Sequence, residues 1–188
     1  GVISGLDVNF VIKTVTEGFG NTLKSIGIII ACGSIIGTFL EKTGAAKSIA
    51  SKILQITGSK NSALAMNLTG SIVSIPVFCD SGFVILSTLN NAINKKTGIS
   101  LSVLGTSLAA GLYATHVFVP PTPGPLAAAS IIGADVGLVL IFGLLIAIPV
   151  SVVGWFWASY YCSRFSINQN INNETLTEQK NDDTSLTI

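Results

Sequence analysis

Two ionisable groups stand almost alone inside long apolar runs. Asp80 is the single charge between residues 61 and 94, and His116 is the only histidine in the chain. A carboxyl inside a membrane segment costs about 2.5–3.5 kcal/mol on insertion scales, so it is rarely there without a partner or a task. In such a place Asp80 can take up and release a proton; the plainer alternative is an aspartate that caps the helix after it or sits in a wet loop. An imidazole changes charge near neutral pH, so His116 can relay a proton or donate to a substrate oxygen. Its plainer alternative is a hydrogen bond to backbone left open by neighbouring prolines.

Those prolines are dense. Residues 114–126, Ala-Thr-His-Val-Phe-Val-Pro-Pro-Thr-Pro-Gly-Pro-Leu, hold four of the six in the chain. Each ring removes an amide donor and clashes with the preceding turn, so a helix cannot run through them. At membrane depth such a break survives where protein or a water-filled cavity satisfies the freed carbonyls, as in the interrupted helices of transporters. If helices restart near Ser81 and Gly82 and near Gly124 and Pro125, their first-turn amides present partial positive charge to the cavity. That arrangement binds a carboxylate in segments holding no Lys or Arg. The hydroxyls of Ser81, Thr115, Thr122 and Ser130 are further candidate ligands, although membrane serines and threonines usually bond their own backbone.

The elements that must position these groups are membrane helices. The sequence is 49% apolar and 10% charged, with a mean hydropathy of +0.69, against about 25% charged in soluble domains. The fold class expected is an all-α membrane protein, with a membrane domain over residues 1–165 and a polar, disordered tail or linker over residues 166–188. Residues 1–23 read as an interfacial or loop segment, and residues 22–40 as a first spanning helix. Gly33 and Gly37 lie on it in a packing pattern. Lys42, Lys47, Lys52 and Lys60 alternate with apolar residues at helical spacing, which suits an amphipathic helix on the cytoplasmic surface.

Residues 62–75 and 83–93 are each too short to cross a hydrocarbon core of about 30 Å. They form either one helix kinked at Pro76 or a re-entrant hairpin that turns near Asp80 and Gly82. The hairpin puts the Lys42 to Lys60 group and Lys95–Lys96 on the same side, as the positive-inside rule asks, and is the favoured reading. Residues 101–119 then form a helix broken by the prolines, residues 126–133 resume it, and Asp135 marks the outer boundary. Residues 136–162 return to Arg164, with Trp155 and Trp157 near the interface. The count is about three crossings and one hairpin. Cys32, Cys79 and Cys162 lack metal or disulfide spacing and read as buried apolar side chains; no metal or cofactor is expected.

Three segments together resemble a known family. Residues 115–125, Thr-His-Val-Phe-Val-Pro-Pro-Thr-Pro-Gly-Pro, resemble the proline signature of the gluconate permease (GntP-type) family. Residues 78–86, Phe-Cys-Asp-Ser-Gly-Phe-Val-Ile-Leu, and 44–50, Gly-Ala-Ala-Lys-Ser-Ile-Ala, resemble its other runs in the same order. The resemblance implies a multi-pass protein of the bacterial inner membrane. It also implies proton symport of gluconate or a related sugar acid, and a chain more than twice this long whose second half repeats the organisation. On that expectation Asp80 and His116 couple protons, and Ser81, Gly82, Thr115, His116, Thr122 and Gly124 meet the substrate. The partners are then a small carboxylate, protons, membrane lipid, and a missing C-terminal half or second copy. The alternative is a truncated, inactive membrane protein that only packs against a partner half. An enzyme with Cys79 or His116 as nucleophile or base lacks a second catalytic group at suitable spacing. Nucleic-acid binding lacks basic patches and phosphate loops.

Overall fold

The computed structural model describes residue 1 and residues 4–165, so the expectation of a disordered tail over residues 166–188 lies outside the described residues. Every regular element in that range is helical. Helix α1, Val8–Lys42, starts where the Asp7 carboxylate accepts the amides of Asn9 and Phe10. It bends by 61° between Val8–Lys24 and Ile26–Lys42. The interfacial or loop segment expected before the first spanning helix is therefore helical from Val8, joined to the apolar stretch through a bend. After Gly44, in the left-handed region at φ 71°, the short helix α2, Ala45–Thr57, buries Ala46 and Ala50 and leaves Lys47 and Lys52 exposed.

Helix α3, Ser62–Val73, spans only about 18 Å at 1.5 Å per residue. Pro76 prevents its continuation. The chain turns through residues 74–78, and α4, Cys79–Thr97, begins at the extended residue Phe78 and stops at Gly98 in the left-handed region. One groove is lined by Ser62 at the start of α3, by Ile93 and Thr97 at the end of α4, and by Leu54 of α2. The two arms thus begin and end on the same side, which is the hairpin. Its tip reaches α5, Leu101–Phe118: the Ser74 hydroxyl donates to the Leu112 carbonyl at 2.6 Å. Leu112 lies eleven residues into α5, about 17 Å along its axis, so the tip meets the interior of the apolar stretch Leu101–Ile132.

After the prolines come α6, Pro123–Ile132, and α7, Val136–Tyr161, the latter starting at an Asp135 carboxylate that accepts the Leu138 amide. Two stretches, Leu101–Ile132 and Val136–Arg164, are long and apolar enough to cross a membrane, and the bent α1 makes a third if taken as one span. Helix α7 runs antiparallel to α5, since Cys162 Sγ meets Thr106 Oγ1 and the Ser100 hydroxyl donates to the Phe165 carbonyl. Arg164 and the hairpin lysines therefore share one face. Of the cysteines, only Cys79 is buried; Cys162 is half-buried and Cys32 is exposed on α1, contrary to the expectation for all three, because α1 packs sparsely on the rest of the described chain.

The apolar core lies among α2, α3, α4 and α5, around Met66, Leu86, Leu104, Leu108 and Leu112, and one polar side chain ties α3 and α5 to α7. Asn67, 1% exposed, donates to the carbonyls of Ser107 on α5 and Ser151 on α7 and accepts from the Ser151 hydroxyl at 2.7 Å. Removing these three bonds with Asn67→Ala should destabilise the bundle by about 1–2 kcal/mol, modest because interhelical hydrogen bonds in membranes average about 0.6 kcal/mol. Thermal unfolding in detergent measures this; a midpoint equal to wild type would show that the clamp contributes nothing.

Candidate functional site

The hairpin tip and the proline break converge. Ile75, Pro76 and Phe78 from the tip, Pro121 and Thr122 from the break, and Gly33 of α1 line one small cavity of about 20 Å³, room for roughly one water. Gly37 explains why α1 comes so close: a methyl there would lie 2.8 Å from the Pro76 carbonyl oxygen. A larger groove of about 510 Å³ between α6 and α7 is lined almost wholly by aliphatic and aromatic side chains and offers an anion no donor side chain.

Asp80 does not cap α4 and does not lie in the turn. It occupies the first helical turn, exposed, with its carboxylate 3.7 Å from the Cys79 sulfur. The helix begins at Cys79, not near Gly82, because Pro76 ends α3 early enough for Phe78 to serve as the extended residue before it. No side chain caps this start, so the amides of Cys79, Asp80 and Ser81 carry its partial positive charge. Ser81 is half-buried. Gly82 is buried, and a methyl there would lie 3.0 Å from a Leu112 methyl, so its smallness lets α4 approach α5.

At the break, Val119 is extended, the Pro120–Pro121 peptide is cis, and Thr122 precedes α6. Pro123 and Pro125 have no amide hydrogen, which leaves Gly124, exposed with open space around it, as the donor of that turn. Two of the four candidate hydroxyls are occupied by backbone: Thr122 Oγ1 donates to the Val119 carbonyl at 2.7 Å and Thr115 Oγ1 to that of Gly111 at 3.3 Å. Both side chains are buried. Ser130 stands apart, lining a different pocket with Asn21 and Thr22 of α1.

His116 comes to the tip. Its ring meets Phe78 edge-on at 6.1 Å, and its Nδ1, fully buried, has no hydrogen-bond partner among the described residues. The reading of His116 as bonded to freed backbone through that nitrogen does not fit this geometry. Sequence reasoning missed two neighbours, Cys79 as a thiol on Asp80 and Tyr113, which shares the face of α5 that meets the first turn of α4. The signal for Tyr113 was its place one turn before His116, the only phenol in α5.

The chain can be set beside known proteins. It is 40% identical over 180 residues, 96% of its length, to an uncharacterized permease of Haemophilus influenzae, of which it covers 36%. It is 36% identical over 153 residues, 81% of its length, to a gluconate permease of Pseudomonas aeruginosa, covering 34% of that protein. It is 34% identical over 165 residues, 88% of its length, to an L-idonate transporter of Escherichia coli, covering 38% of it. The chain thus spans little more than a third of the length of these curated relatives. No solved structure matches it. The family model described as GntP family permease matches residues 1–187, and with these relatives it shows that this all-helical, multi-pass membrane chain belongs to the GntP permease family.

Proposed function

We propose that the complete protein is a secondary transporter that moves a small hydroxycarboxylate, gluconate or a related sugar acid, together with protons, and that this chain supplies one part of its cavity. The observation that carries the proposal is the convergence of two interrupted helices on one cavity beside a histidine with an unpartnered buried nitrogen. The amides that open α4 and the Gly124 amide attract the substrate carboxylate without a buried cation. Asp80 lies at the same positive helix end, so in its ionised form it competes with that carboxylate for the same dipoles. A proton on Asp80 removes the competition, which links proton and substrate binding. His116 donates to the substrate or passes the proton on. The named relatives, a gluconate permease and an L-idonate transporter, support the sugar-acid class.

The test is uptake of labelled gluconate by the complete gene product in proteoliposomes with the outside more acidic. Uptake above its equilibrium level, abolished by collapsing the pH gradient, is expected. Accumulation that ignores the gradient would sink the proton-coupled reading, and no uptake of any sugar acid would sink the carrier reading altogether. His116→Ala in the same assay should raise KM by about tenfold, the equivalent of one good hydrogen bond. Kinetics equal to wild type at every pH would return the imidazole to a packing role.

A further inference from the structure

Tyr113 is the polar group at this site that the transport reading leaves without a task. It lies on α5 between Leu112 and Ala114, both buried, yet is itself 53% exposed. Residues 112–116 of α5 run along the first turn of α4, as the Leu112 contact at Gly82 and the His116 contact with Phe78 require. Tyr113 lies between those two contacts, which puts it beside the helix start that carries Cys79 and Asp80. At this depth a carboxylate and a phenol turned toward acyl chains would forfeit their hydrogen bonds at a cost of several kcal/mol. In the complete protein that face is therefore turned to water or to polar groups, not to lipid. The charged group facing Tyr113 there is Asp80; the apolar part of α1, Ile26 to Leu40, and all of α6 bring none.

We infer that the Tyr113 hydroxyl reads a hydroxyl beyond C2 of the substrate's carbon chain while the helix-start amides hold its carboxylate, making Tyr113 a specificity-determining residue for polyhydroxy acids. The inference rests on the proposed transport function. A phenol both donates and accepts, so it suits a carbinol group. An acid with a bare hydrocarbon chain would cover the phenol without bonding it, and sites built to bond a hydroxyl reject analogues that lack one. A tyrosine that only filled space or anchored α5 would act alike on both kinds of acid.

The experiment compares wild type with Tyr113→Phe in the complete gene product, in proteoliposomes. Labelled gluconate uptake is competed by unlabelled gluconate and by 2-hydroxyhexanoate, which has the same chain length and charge without the distal hydroxyls. Wild type should prefer gluconate, and Tyr113→Phe should cut that preference about tenfold through a higher KM for gluconate, with Vmax retained. An unchanged preference, or equal weakening toward both acids, overturns the role given to Tyr113. Wild type that carries no carboxylate refutes the transport reading instead, which separates the two failures. Should Tyr113→Phe reach the membrane poorly, Tyr113→Leu carries the same test.

Discussion

Replacing Asp80 with asparagine in the complete gene product is expected to abolish accumulation of substrate against its gradient while sparing exchange of substrate across the membrane. The carboxylate sits in the first turn of α4, where unpaired amides concentrate partial positive charge. An anionic substrate drawn to those amides meets a second negative charge, and the two coexist only when a proton neutralises one of them. Asparagine has the shape of protonated aspartate but cannot release a proton. The binding half of the cycle survives and the coupling half does not. One pH unit is worth about 1.4 kcal/mol per proton, or about tenfold accumulation, and that factor is what the variant should lose at each unit of imposed gradient. Accumulation of labelled gluconate under a pH gradient and counterflow at equal pH separate the two halves. Wild-type accumulation would remove Asp80 from the coupling step. Loss of counterflow as well would assign it to substrate binding.

Much of the hairpin and of the proline break is legible in the sequence because membranes punish ambiguity. The sorting of Lys42 to Lys60 and of Lys95–Lys96 to one side left the hairpin as the consistent path, and the groove holding Ser62, Ile93 and Thr97 agrees. The proline cluster announced its break, since no helix accommodates Pro120, Pro121, Pro123 and Pro125 in sequence. The start of α4 was harder. Gly82 resembled a helix start, but its small size serves packing against Leu112, and the extended Phe78 sets the boundary. The helical course of residues 8–24 was obscured by Lys13 and Glu17, which pair at 3.9 Å on the exposed face and are compatible with an interfacial helix. The one signal for Tyr113, its place a turn before His116, gains meaning only from the approach of α4, which gives it neighbours. The use of the Thr115 and Thr122 hydroxyls by backbone carbonyls, by contrast, is the usual behaviour of threonine in a membrane helix.

Alanine at Gly111 should damage the fold more than loss of the Asn67 side chain, although it adds one methyl. That methyl would overlap the carbonyl oxygen of Asn67 and stand 2.9 Å from its carbonyl carbon and 3.0 Å from the Ser71 amide nitrogen. All three are backbone atoms of α3, so no side chain can rotate away and the helix itself must retreat from α5. Overpacking of this kind costs about 1–3 kcal/mol, and here the retreat also stretches the Asn67 bonds to Ser107 and Ser151. The consequence reaches the site, because α3 carries the hairpin tip and Ser74 holds that tip to the Leu112 carbonyl. Gly105, on the same helix, is the control: a methyl there meets nothing within 4 Å. Helix propensity alone favours alanine over glycine by about 1 kcal/mol, so Gly105→Ala should be neutral or slightly stabilising. Thermal unfolding in detergent should therefore move in opposite directions for the two variants, with transport lost only for Gly111→Ala. Parallel shifts would mean that α3 and α5 do not meet backbone to backbone, and the depth assigned to the hairpin tip would fall with that contact.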